Sequence, residues 1–135
     1  MINGAHFLIY SKDAEADRAF FRDILKFRSI DVGQGWLIFA LPPAELAVHP
    51  VRGKIATRQS SHGPMRSVLF LMCDDLPGLI KSLKRKKIKC AGITQASWGA
   101  NTVIQLPSGV EMGLYQPTHP TAHDLKAERV AANVE

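Results

Sequence analysis

The chain says much the same thing twice. "LPPAELAVHP", Leu41 to Pro50, and "LPSGVEMGLYQP", Leu106 to Pro117, share an outline: Leu-Pro, a turn, then Glu, an apolar residue, a small residue and a branched apolar residue. The likeness extends beyond these phrases. His6 falls on Val68 and Asp13 on Asp75 at an offset of 62, Leu41 falls on Leu106 at 65, and Glu45 and Ala47 fall on Glu111 and Gly113 at 66. Turns absorb so small a drift. A unit this short cannot bury both faces of a sheet by itself, so two copies must share a core.

Each copy reads β-α-β-β-β. In the first, "AHFLIYS" is apolar on both faces, and Asp13 can cap a helix carrying Phe20, Phe21, Ile24 and Leu25 on one stripe. "KFRSIDVG", "GWLIFAL" and "ELAVHPV" follow as strands, the second of them ended by Pro42 and Pro43. A polar linker runs from Arg52 to Pro64. In the second copy "SVLFLMC" precedes a helix capped by Asp74 or Asp75, with Pro77 in its first turn and Leu76, Leu79, Ile80 and Leu83 on one face. "IKCAGITQ", "NTVIQL" and "VEMGLYQP" complete it. The expectation is an α+β domain over residues 1–118, built of modules 3–52 and 64–118, with residues 119–135 as a tail. In that tail Thr121 and Asp124 resemble a capping box, and a short helix and a frayed end are both open.

Composition narrows the classes. Apolar residues form 46% of the chain, enough for a core, yet no apolar run is long enough to span a bilayer. "MINGAHFLIYSKD" lacks the basic start and small-residue site of a signal peptide. Cys73 and Cys90 are too few for a disulfide framework and lack metal-ligand spacing, which predicts a cytoplasmic protein with two inert thiols. The net charge of +5 owes much to "KSLKRKKIK", Lys81 to Lys89, at the end of the second helix. Cations suit that helix terminus, and no aromatic residue interleaves with them. The run reads as a solvated face, with neither nucleic acid nor membrane expected as a partner.

Two βαβββ units in a chain of this size resemble the vicinal oxygen chelate superfamily, which includes glyoxalase I, extradiol dioxygenases, and fosfomycin- and bleomycin-resistance proteins. The phrases that carry the resemblance are "HFLIYSKD" before "AFFRDIL", then "FLMCDDLPGLIKSLK", then "LPSGVEMGLYQP". It covers about residues 3 to 117. It implies two mixed, U-shaped incomplete barrels with helices packed outside, usually completed in a homodimer. Metal-dependent members carry ligands on the first and fourth strands of each module. Those positions here are His6, Ala47, Val68 (or Ser67) and Gly113. One imidazole does not make a divalent site, which needs about three protein ligands and an open position. The resemblance therefore implies a lost metal centre, no cofactor, and space vacated at Ala47 and Gly113 that would enlarge a cavity.

Strand alternation then selects a lining. His6 goes with Leu8 and Tyr10, Ala47 with Glu45 and His49, Gly113 with Glu111 and Tyr115, and Val68 with Phe70 and Met72. The third strand offers Trp36, Ile38 and Ala40, or else Leu37 and Phe39. The candidate ligand-binding set is His6, Leu8, Tyr10, Trp36, Ala47, His49, Phe70, Gly113 and Tyr115. Each has a plainer role open to it: His6 as a core histidine, His49 as a rim residue beside Pro50, the tyrosines as wet caps on the core. An apolar, aromatic lining with a few polar groups suits an aromatic or anionic small molecule. A cationic glycopeptide such as bleomycin fits the net charge poorly. The alternative is an enzyme, a lyase, isomerase or dioxygenase, with a metal on His6, His49 and Glu45 or Glu111, or metal-free acid–base chemistry by a histidine and a tyrosine.

Overall fold

The computed structural model describes residues 1–48 and 67–124. Asp13 accepts the Ala16 N–H at 3.2 Å and caps α1, Ala14–Ala19. The chain then widens into a π-helical turn, Phe20–Ile24, closed by the Leu25 N–H on the Phe20 carbonyl at 3.2 Å. Adjacent Phe20 and Phe21 are both buried there, with their rings edge to face at 5.9 Å. β1, Ser29–Asp31, and β2, Leu37–Phe39, form an antiparallel pair, so that Phe39 packs its ring 5.6 Å from Phe21.

The second half forms a complete βαβββ module. It comprises β3 (Phe70–Met72), α2 (Leu76–Arg85), β4 (Thr94–Ala96), β5 (Gly99–Gln105) and β6 (Glu111–Pro117). The sheet runs β3-β6-β5-β4, with β3 parallel to β6 and the other pairs antiparallel. Asp75 is the cap of α2, accepting the Gly78 N–H at 3.1 Å, and Pro77 stands in the first turn as expected. Leu76, Ile80 and Leu83 bury one helical stripe, while Lys84 and Arg85 occupy the last turn in solvent.

One core serves both halves. Phe20 and Phe21 from the first meet Leu76, Ile80 and Leu83 of α2 and the even-numbered side chains of β5 and β6, Ile104, Met112 and Leu114. A buried polar contact sits beside it. The Asp17 carboxylate accepts the Ser108 N–H at 3.0 Å and the Ser108 hydroxyl at 2.7 Å, joining α1 to the β5–β6 turn across 91 residues of sequence. Asp17 is 5% exposed, and this pairing is what makes a buried carboxylate tolerable.

Three expectations are corrected. "AHFLIYS" and the described part of "ELAVHPV" are not strands: residues 1–10 are exposed, and Leu46 and Val48 are each 88% exposed. Alternation marks a segment as able to form a strand, but a strand exists only with a ladder partner. The equivalent segments of the second module, β3 and β6, pair with each other, whereas the first-module copies make no such pair among the described residues. The strand expected at "IKCAGITQ" begins later, at Thr94. Cys90 bridges Ile104 and Thr94 pairs Asn101, so four steps on one side oppose three on the other, a β-bulge around Gly92. The resulting fold is α+β, with sheets of two and four strands that do not close into a barrel.

Removing the Asp17 carboxylate should be costly. Asp17→Ala leaves the Ser108 N–H buried without a partner, and a loss of about 1–3 kcal/mol or more is expected. Urea denaturation measures it; Asp17→Asn, which keeps one acceptor, should lose less.

A candidate ligand face on the open side of the sheet

The face of the four-stranded sheet turned away from the helices carries the odd-numbered residues of β6. Residues paired across a ladder point the same way. The register Phe70↔Gly113 and Met72↔Tyr115 therefore puts Phe70, Gly113 and Tyr115 on one surface. Gly113 is buried because the Phe70 ring lies on it: a Cβ there would stand 2.8 Å from Phe70 Cγ and closer still to the ring edge. The space expected to enlarge a cavity is thus filled by a neighbouring ring, an aromatic side chain covering a strand glycine.

Trp98 joins from the hairpin between β4 and β5. The next residue, Gly99, has φ +148° and approaches the Gln116 carbonyl so closely that no side chain fits. That approach seats Trp98 on the sheet. Its ring lies 5.3 Å from Tyr115 and 6.3 Å from Phe70, and Phe70 lies 5.8 Å from Tyr115, all three pairs edge to face. Phe70 and Trp98 remain 37% and 39% exposed, so the cluster presents apolar surface to solvent.

After β6 the chain turns back over this cluster. The Thr118 N–H donates to the Trp98 carbonyl and the Thr118 hydroxyl to the Ser97 carbonyl, each at 3.0 Å. His119 then lies against Tyr115, with ring centroids 6.0 Å apart, and its Nε2 hydrogen-bonds the Tyr115 hydroxyl. Its Nδ1 stands 2.8 Å from the Pro120 carbonyl oxygen, which can only accept. Nδ1 therefore carries the proton, and in the neutral ring Nε2 accepts from Tyr115. Glu45 reaches the same region and accepts the Ala122 N–H at 2.6 Å. Burial raises the Tyr115 phenol above its ordinary value and the Glu45 carboxylate adds to the rise, so the hydroxyl keeps its proton at neutral pH.

Of the candidates from sequence, Phe70, Gly113 and Tyr115 come together here. His6, Leu8 and Tyr10 lie on the exposed N-terminal segment, and Ala47 is exposed two residues beyond Glu45. Trp36 is 62% exposed in the β1–β2 loop, with the Arg18 guanidinium 5.2 Å from its ring centre. His49 lies outside the described residues. Trp98 and His119 were missing from the candidate set. The signal for Trp98 was its place in a two-residue hairpin before glycine; for His119 it was the spacing in "YQPTH", where Pro117 ends the strand and turns the chain back. A cleft of about 360 Å³ lies elsewhere, at the start of α2, where Gln116 accepts the Leu76 N–H at 2.8 Å.

The metal positions implied by the resemblance do not fit a divalent ion. Ala47, Val68 and Gly113 offer no side-chain donor, and the Phe70 ring covers the last of them. Among the described residues no three His, Cys, Asp or Glu side chains gather as a metal site. Both thiols are raised by burial, Cys90 against a lowering by Lys84, which leaves them poor nucleophiles.

No protein-family profile and no curated protein sequence matches the chain. Solved structures do. An antibiotic binding protein, TnmS3, from Streptomyces sp. CB03234 superimposes with a TM-score of 0.61 at 22% identity, over 87% of this chain and 99% of that one. Lactoylglutathione lyase from Agrobacterium tumefaciens gives 0.59 at 16%, over 84% and 92%. The fosfomycin resistance protein FosX from Listeria monocytogenes gives 0.54 at 12%, over 93% and 100%. The molecule is thus a two-module α+β protein with one sheet face open. Its fold is the one these solved structures share.

Filling the glycine should disturb packing. Gly113→Leu is expected to cost about 1–3 kcal/mol by displacing the Phe70 ring. Placed on Phe70→Ala, the same substitution should cost clearly less, as a double-mutant cycle by thermal melting would show.

Proposed function

We propose that this protein binds an aromatic or anionic small molecule against the Phe70–Trp98–Tyr115 face, without the metal centre of its fold family. The observation that carries this reading is the cluster itself, three half-exposed rings on an open sheet face with a hydrogen-bonded Tyr–His pair beside them. Apolar surface with a few fixed polar groups is the usual make-up of a small-molecule site. The antibiotic binding protein among the structural neighbours is consistent with a binding role on this fold. A net charge of +5 favours anionic or neutral ligands over cations.

The site is completed, on this reading, by a second copy of the chain. β3 is an edge strand, and Val68, at 72% exposed, continues its open face. Leu8, Leu46 and Val48 add exposed apolar side chains. Such edges and patches are normally covered. Light scattering at micromolar concentration should give the mass of a dimer; a monomer there contradicts this part of the reading.

Binding is tested by tryptophan fluorescence on a Trp36→Phe protein, in which Trp98 is the reporter. Naphthoate and naphthol should quench it saturably, cyclohexanecarboxylate should not, and Phe70→Ala should weaken quenching at least about tenfold, a loss of roughly 1.4 kcal/mol. Elemental analysis should find no stoichiometric transition metal. One zinc, nickel, iron or manganese per chain, lost in His6→Ala, overturns the metal-free reading, and absence of quenching overturns the binding one.

A further inference from the structure

The aromatic cluster explains affinity for a ring but not which ring. The polar group beside it does. Tyr115 uses its one proton on His119 Nε2, and His119 uses its other nitrogen on Pro120. The lone pairs of the Tyr115 oxygen are therefore what the pair offers to a molecule on the cluster, an acceptor and not a donor. Behind that acceptor stands a base, because the Nε2 lone pair that accepts the Tyr115 hydrogen bond can take the proton outright. Among the described residues, the charged group acting on Tyr115 is Glu45, whose negative charge adds to burial in disfavouring a phenolate there.

We infer that the Tyr115–His119 pair recognises the hydroxyl of an acidic phenol or enol laid on the Phe70–Trp98 face, and takes up its proton. This rests on the binding role proposed above and names the ligand class for it. The ligand hydroxyl donates to the Tyr115 oxygen. As its proton passes to that oxygen, the original Tyr115 proton passes to His119 Nε2. The products are a ligand oxyanion, a neutral tyrosine and an imidazolium whose Nδ1–H stays on the Pro120 carbonyl. The charge created on the ligand is matched by one created on the protein, and no other reactant is needed. A ligand without the hydroxyl leaves the Tyr115 acceptor unpaired, which disfavours binding.

The test uses para-nitrophenol, whose phenol and phenolate absorb at different wavelengths, and para-nitroanisole, which has the same ring but no proton. With the full chain, at a pH where the free dye is mostly phenol, bound para-nitrophenol should show the phenolate band. It should also bind about tenfold or more tighter than para-nitroanisole. His119→Ala should abolish the band and most of that preference. Tyr115→Phe, which keeps the ring in the cluster, should do the same. Equal affinity for the two dyes in the unaltered protein overturns the inference and leaves aromatic binding standing, as does a phenolate band that survives both substitutions. Failure of both dyes to bind overturns the inference together with the binding role beneath it.

Discussion

The four-stranded sheet has two faces, and the described residues carry helices enough for one of them. α1 with its π-helical turn and α2 both pack on the side bearing Ile104, Met112 and Leu114. The Asp17–Ser108 pair locks the first of these helices to the turn between β5 and β6. Everything on the other face follows from that allocation. Phe70, Gly113 and Tyr115 are left outward, and among the described residues their cover is the short return after Pro117. A ligand, a second copy or both can occupy what remains.

Two glycines translate this allocation into a site. Gly113 gives the Phe70 ring somewhere to lie, and Gly99 lets the β4–β5 hairpin close onto β6 so that Trp98 reaches Tyr115. In the resemblance, the position of Gly113 belongs to a metal ligand. Here a hydrogen stands there, and an aromatic ring has taken the space. The Gly113 position thus supports a hydrophobic surface, the Phe70 ring lying where a side chain would stand.

The repeat made the architecture legible. Offsets between His6 and Val68, Asp13 and Asp75, and Ala47 and Gly113 pointed to two modules, and the caps at Asp13 and Asp75 stand where expected. Phe70, Gly113 and Tyr115 were also legible, since period-two alternation assigns faces without knowledge of partners. What alternation does not contain is pairing. "HFLIYS" has a strand's pattern and no ladder among the described residues, and the bulge at Gly92 displaces β4 towards Thr94. Nor does it contain depth: the gap at Gly113 was visible, but its occupation by Phe70 depended on register between strands 43 residues apart. His119 escaped notice because it lies past the last strand, in a segment read as a tail, and only the turn at Pro117 and Thr118 brings it back.

The central claim is that the open aromatic face, and not a metal centre, is where this protein meets its ligand. Aromatic-proton NMR during titration with naphthol tests it most directly. Ring-current shifts should appear at Phe70, Trp98 and Tyr115 and spare Phe20 and Phe21 in the core. Shifts confined to other rings, or shifts that require added zinc and vanish in His6→Ala, would contradict the account.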